Sequence, residues 1–170
     1  MFRNLKIQFT LLPNKIAVIG LGNTLRRDDG IGIVILNSLL SFYKRESVDY
    51  FNFGIASFDL LHRLGEYEKV LLIDAIDAGF QPGELKIFAL DEVEYKLKTP
   101  ITSAHEFSLK EIFGLYKELG LKTEVYIAGI QVKDVDFGEG VTEGLAKKKD
   151  KLAKEISDFI DAKLIAKKAC

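Results

Sequence analysis

The sequence predicts an α/β fold: a single-domain three-layer sandwich with a mostly parallel twisted sheet of about five strands and helices on both faces. Strand-like and helix-like segments alternate along the chain. Two of the strand-like segments are continuous apolar runs, the pattern of strands buried on both faces of a parallel sheet. The chain has 170 residues, enough for one ordinary domain with little room for a second, so residues 1–170 are assigned to one.

Each element has a local reason. Lys15-Ile16-Ala17-Val18-Ile19-Gly20 is rich in β-branched residues and stopped by glycine, a short buried strand. From Asp29 to Lys44, Ile31, Val34, Ile35, Leu39 and Phe42 recur at helical spacing. Val48 to Phe53 alternates as a strand does, and Ser57 is placed to cap a helix carrying Leu60, Leu61 and Leu64. Lys69-Val70-Leu71-Leu72-Ile73-Asp74 is the second apolar run. Pro82-Gly83 makes a turn, and the alternating segment Glu84 to Leu90 suits an edge strand. Ser103-x-x-Glu106 is a capping box opening a helix through Leu109, Ile112, Phe113 and Tyr116. Val125 to Ile130 is a further strand, and Thr142 to about Ala166 an amphipathic closing helix.

Composition narrows the chemistry. Lys and Arg total 24 against 25 Asp and Glu, which argues against a general nucleic-acid binder. The acidic charge is concentrated: residues 52–143 carry 17 acidic and 9 basic side chains, a region that would draw a cation or a basic segment if its charges converge on one face. One cysteine excludes an internal disulfide framework and any multi-cysteine metal site, and two histidines exclude a histidine-rich metal centre. No stretch reaches the roughly 18 apolar residues that span a bilayer. Phe9 to Leu12 is too short for a signal-peptide core, so a cytoplasmic location without membrane insertion is the expectation. Any chemistry must rest on carboxylates with at most two imidazoles.

Gly20-Leu21-Gly22-Asn23-Thr24-Leu25 lies between the first strand and the first helix, as a dinucleotide-binding loop would. That motif needs a third small residue where Leu25 stands, so that helix and strand can pack closely. The carboxylates of Asp28 and Asp29 at the helix start would also repel a pyrophosphate. Gly-Leu-Gly-Asn resembles the opening of the peptidyl-tRNA hydrolases as well, but that likeness ends after these four residues.

Three residues form a candidate site. Asp74 ends a buried strand, Asp29 lies just beyond the end of the first, and ligands of open α/β sheets bind outside such carboxyl ends. His105 falls in the first turn of its helix if Ser103 is the cap, a place that disfavours imidazolium and leaves a lone pair for a metal, although Glu106 works against that shift. Two carboxylates and an imidazole make a partial shell for nickel or zinc, or two acids and a base for hydrolysis. Taken singly, each residue has a structural explanation. Asp28 and Asp29 suit the start of a helix dipole, Asp74 a bond to the next loop, and His105 a helix opening. His62 reads as a structural residue of a surface helix, and Cys170 as a terminal thiol.

The stretch Gly20-Leu21-Gly22-Asn23-Thr24-Leu25-Arg26-Arg27-Asp28-Asp29-Gly30-Ile31-Gly32 resembles the opening signature of the hydrogenase maturation endopeptidases. Ile73-Asp74-Ala75-Ile76-Asp77-Ala78-Gly79 with Pro82-Gly83-Glu84-Leu85, then Thr102-Ser103-Ala104-His105, then Ala128-Gly129-Ile130-Gln131 are similar to its later blocks, in the same order. The likeness runs from about Lys15 to Ile160 and is greatest toward the branch serving the hydrogenase of formate hydrogenlyase.

The resemblance implies an aspartic-type endopeptidase that removes the C-terminal extension of a nickel–iron hydrogenase large-subunit precursor after nickel insertion. It implies that Asp29, Asp74 and His105 recognise nickel held by the substrate, the metal being recognised rather than permanently bound. Where the family's second strand usually ends in aspartate, this chain has Asn52-Phe53-Gly54; Asn52 carries no charge and cannot act as a base. Two other readings stay open: a metallohydrolase with its own divalent ion in the same crevice, and a non-enzymatic nickel-sensing escort for hydrogenase precursors.

Overall fold

The computed structural model of the chain describes residues 12–55, 58–90 and 109–166. Its strands are β1 (Leu12–Leu21), β2 (Val48–Gly54), β3 (Tyr67–Ile76), β4 (Leu85–Ala89) and β5 (Glu124–Gln131). The helices are α1 (Ile31–Phe42), α2 (Phe58–Leu64), α3 (Leu109–Glu118), the single turn α4 (Glu143–Ala146) and α5 (Lys149–Phe159), which runs on into a π-helical segment, Ile160–Ile165.

The strands form one sheet in the order β2-β1-β3-β5-β4. The first four in that order are mutually parallel, and β4 closes one edge antiparallel to β5. This is the mostly parallel five-stranded sheet that the sequence predicts, with Glu84–Leu90 supplying the edge strand. The chain leaves β1 toward one side of the sheet to reach β2, then crosses to the other side for β3. The crevice between the carboxyl ends of β1 and β3 is therefore the topological switch point, the position where open α/β sheets take their ligands.

Alternation along each strand sends side chains to two separate cores. Val18, Ile73 and Ala128 pack with Ile31, Ile35 and Leu39 of α1 and with Leu152 and Ile156 of α5. Ala17, Ile19, Leu72 and Ile127 pack on the opposite face with Leu60 and Leu64 of α2 and Tyr116 of α3. Helix α1 is apolar over most of its circumference because the sheet covers one side and α5 contacts it as well.

β1 and β3 run past the predicted segments at both ends, so that β3 continues two residues beyond Asp74, and two helices differ more from their predicted extents. The helix expected from Asp29 begins at Ile31, because Arg27–Gly30 form a 3₁₀ turn first. Arg27 sits at φ 40°, in the left-handed region, which no α-helix continues through. The closing helix expected over 142–166 is interrupted at Lys147 and Lys148, where Lys148 N–H donates to Leu145 O in an i to i+3 bond. Lys148 Nζ also donates to Pro82 O at 2.6 Å, tying that break to the turn before β4. The capping positions Ser57, Ser103 and Glu106 lie outside the described residues. No helix among the described residues is long and apolar enough to cross a membrane.

Candidate active site

Close backbone packing brings the loop after β1 to the end of β3. A Cβ on Gly32 would fall 2.2 Å from Leu21 O and 2.3 Å from Ile73 O, so only glycine allows the first turn of α1 to rest on both strand ends. A Cβ on Gly22, at φ 131°, would lie 2.0 Å from Asp29 O. These two glycines fold the loop back on itself, leaving Asp29 three residues before the contact with β3 and Asp74 one residue after it. The spacing rule that excluded a dinucleotide loop at Leu25 overlooked Gly32, which supplies the close helix–strand contact seven residues further on.

The consecutive carboxylates Asp28 and Asp29 have different environments although both are buried, at 1% and 2% exposure. Asp28 Oδ1 accepts from Thr142 N–H at 2.7 Å. Its Oδ2 accepts from the Thr142 hydroxyl at 3.1 Å and from Lys133 and Asp134 N–H at 3.3 Å each. This carboxylate clamps the loop after β5 to the loop after β1. Asp29 accepts one hydrogen bond among the described residues, from Asn23 N–H to Oδ2 at 2.9 Å. Asp28 is thus committed to holding structure, while Asp29 keeps oxygen lone pairs for another partner.

The two loops are joined further out. Arg27 N–H donates to Gly138 O and Gly138 N–H to Leu25 O, both at 2.9 Å. Arg27 forms an ion pair with Asp134. Asp136 N–H together with the Arg27 guanidinium holds the Asp134 carboxyl below the usual carboxylate range. These bonds offset the left-handed backbone at Arg27, a conformation that costs of order 1 kcal/mol in a non-glycine residue.

Asp74 is fully buried two residues before the carboxyl end of β3. Its Oδ1 accepts the N–H of Ala75 at 2.9 Å, which fixes the carboxyl against its own strand end. Its register partner on β5 is Gly129, where a Cβ would strike Ile76 Cδ1 at 2.7 Å. The loop that follows is latched by Gln131, itself 4% exposed. Gln131 Oε1 accepts from Ala78 N–H at 2.9 Å and Phe80 N–H at 3.1 Å. Its Nε2 donates to Asp77 Oδ1 at 3.1 Å and to Val132 O at 2.9 Å. Both donors and two acceptor positions of one amide are used, so the loop leaving Asp74 has a set path.

Asn52 has a structural task. Its Oδ1 accepts Gly54 N–H at 3.0 Å, and Gly54 O in turn accepts Gly22 N–H at 2.8 Å, so this turn braces the glycine loop. Accepting one N–H needs only a side-chain oxygen, which the asparagine amide and an aspartate carboxylate both offer. His105, the third residue of the predicted set, and Cys170 lie outside the described residues. His62 on α2 is 71% exposed, with Glu66 just beyond the helix beside it, in keeping with a surface-helix residue. The sequence reading missed the clamp at Asp28 and the latch at Gln131. Placing Asp28 and Asp29 together at a helix start does not show that both are buried, because the partners that cover them are distant in the chain.

Comparison with known proteins gives a consistent set of relatives. A family model described as hydrogenase maturation protease matches residues 34–159. The hydrogenase expression/formation protein HupD of Bradyrhizobium diazoefficiens is 30% identical over 135 residues, which cover 76% of this chain and 69% of that protein. HupD of Rhizobium leguminosarum bv. viciae is 28% identical over 131 residues, covering 75% and 65%. The chain thus spans about two thirds of the length of these relatives. Among solved structures, the [NiFe] hydrogenase maturation protease HybD from Thermococcus kodakarensis superimposes with a TM-score of 0.65 at 28% identity, over 85% of this chain and 98% of that one. The hydrogenase maturating endopeptidase HybD from E. coli shares the fold, with a TM-score of 0.75 at 22% identity over 88% and 94%.

Proposed function

The chain belongs to the hydrogenase maturation protease family, and from that premise we propose that it removes the C-terminal extension of a nickel–iron hydrogenase large-subunit precursor once nickel is in place. The observation that carries this reading is the position of Asp29 and Asp74, one on the loop after β1 and one near the carboxyl end of the neighbouring β3, both almost inaccessible to water. A nickel ion arriving on the substrate would find in the oxygens of these two carboxylates and the imidazole of His105 a suitable partial shell.

In this mechanism the metal belongs to the substrate. Asp29 and Asp74, with His105, hold the nickel-bearing segment so that the scissile peptide lies against the carboxyl edge of the sheet. A water molecule gives a proton to a carboxylate and attacks the peptide carbonyl carbon. Collapse of the tetrahedral species breaks the C–N bond, and the departing amine takes up a proton. Asn52 takes no part as a base. The use of carboxylates for proton transfer makes the enzyme aspartic in type, and its partner the precursor polypeptide. The acting compartment is the one where that precursor is assembled, the cytoplasm.

The reading is tested by incubating the purified chain with nickel-loaded large-subunit precursor and following the precursor mass. Loss of a C-terminal fragment is expected with the native chain. A stable complex in which the precursor mass never changes would overturn the protease reading in favour of an escort protein. Stoichiometric metal in the purified chain, with cleavage lost to a chelator even for preloaded precursor, would favour a metallohydrolase with its own ion.

A further inference from the structure

Leu25, Ile55 and Phe137 are large apolar side chains with 61%, 50% and 82% of their surface exposed. They follow β1, β2 and β5, so all three stand on loops at the carboxyl edge of the sheet, the edge that carries Asp29 and Asp74.

Leu25 and Phe137 also stand on loops that are bonded to each other. The parallel bridge between Arg26 and Gly138 puts Leu25 and Phe137 at neighbouring register positions. Arg26 lies over the Phe137 ring at 5.5 Å, and its Nε donates to Val135 O at 3.0 Å. Leu25 N–H donates to Asn23 Oδ1 at 3.0 Å, and Asn23 N–H donates to Asp29 Oδ2 at 2.9 Å. One residue, Asn23, therefore links the apolar pair to the Asp29 carboxylate, and the Asp28 clamp fixes both loops beneath them.

We propose that Leu25 and Phe137 are the docking point for an apolar side chain of the protein substrate, next to the metal-bearing segment that Asp29 meets. The inference rests on the reading above that a hydrogenase large-subunit precursor is the substrate. Its occupant is a polypeptide surface, because the pair is continuous with the site where that polypeptide is cut and side chains this exposed suit a protein face rather than an enclosed ligand. An aromatic side chain has few torsions to lose on association, and aromatic residues are among those that dominate binding energy at interfaces.

The test uses the full chain with nickel-loaded precursor, measuring both the Kd of the complex and steady-state cleavage for Phe137→Ser, Leu25→Ser and the double variant. The expected result is a Kd and KM raised about tenfold or more in the double variant, with kcat within about twofold of native. Phe42→Ser serves as control, since Phe42 is 74% exposed at the far end of α1; it should leave both constants unchanged. Native constants in the double variant would overturn the docking proposal while leaving the protease reading intact. A native dimer that Phe137→Ser dissociates without changing KM would overturn it in favour of a second copy of the chain. Native chain that binds precursor without cutting it, and loses binding in the double variant, would uphold the docking surface while the protease reading falls.

Discussion

At the residue scale, adjacent aspartates with the same burial divide two tasks. Asp28 accepts four hydrogen bonds from the loop after β5, whereas Asp29 accepts one among the described residues. Asp28→Asn would point an NH₂ group at N–H or hydroxyl donors, leaving buried donors unsatisfied. Its expected effect is a loss of about 1–3 kcal/mol in stability, read by denaturant unfolding. Asp29→Asn keeps an oxygen that can accept from Asn23 N–H but removes the charge. It should leave the unfolding midpoint near native while lowering precursor cleavage by about two orders of magnitude or more. Equal losses of stability in both variants would contradict this division. The sequence pointed to Asp29 and Asp74 by their position after strand ends, which is local information. The clamp at Asp28 was not legible, because its partners Lys133, Asp134 and Thr142 lie more than 100 residues away.

At the element scale, the position of α1 depends on the absence of a side chain at Gly32. Gly32→Ala would set a methyl group against the carbonyls of Leu21 and Ile73, and backbone atoms cannot give way as a flexible side chain does. The helix must lift, at a cost of about 1–3 kcal/mol, carrying the 3₁₀ turn and Asp29 away from Asp74. Cleavage should therefore fall even at temperatures where the variant is fully folded; native activity there would contradict the packing argument.

Strand β3 begins with Tyr67, 4% exposed, whose hydroxyl donates to Asp49 Oδ2 at 2.8 Å. Burial, followed by the bond to Asp49, pushes the Tyr67 phenol up to about 12. A proton bound more tightly in the folded than in the unfolded chain stabilises the fold below the ordinary tyrosine value near 10. That contribution fades as pH rises from about 10 through about 12. Tyr67→Phe should flatten this part of the stability profile, measured by unfolding between pH 9 and pH 12; an unchanged slope would show that Tyr67 does not set it. The core runs of β1 and β3 were legible in sequence because full burial on both faces demands continuous apolar side chains. The start of α1 was not, since the left-handed backbone at Arg27 is held by Gly138 and Asp134, distant contacts to which periodicity is blind.

At the scale of the whole molecule, strand order brings two separated motifs to neighbouring strands. The order β2-β1-β3-β5-β4 places the loop after β1 beside the end of β3, although 44 residues separate Asp29 from Asp74 in the chain. Sequence alternation predicted the class of sheet and the helices on both faces, but the side of β1 on which each neighbour lies is a tertiary choice. On the proposed function, one cysteine and two histidines are enough, because a metal carried by the substrate asks for only part of a coordination shell.

On the proposed function, the chain cuts its precursor only when nickel is present in it. Nickel-loaded and nickel-free preparations of the same large-subunit precursor, treated side by side and weighed by mass spectrometry, test this directly. Shortening of the loaded precursor alone is the expected result; equal shortening of both, or of neither, would contradict it.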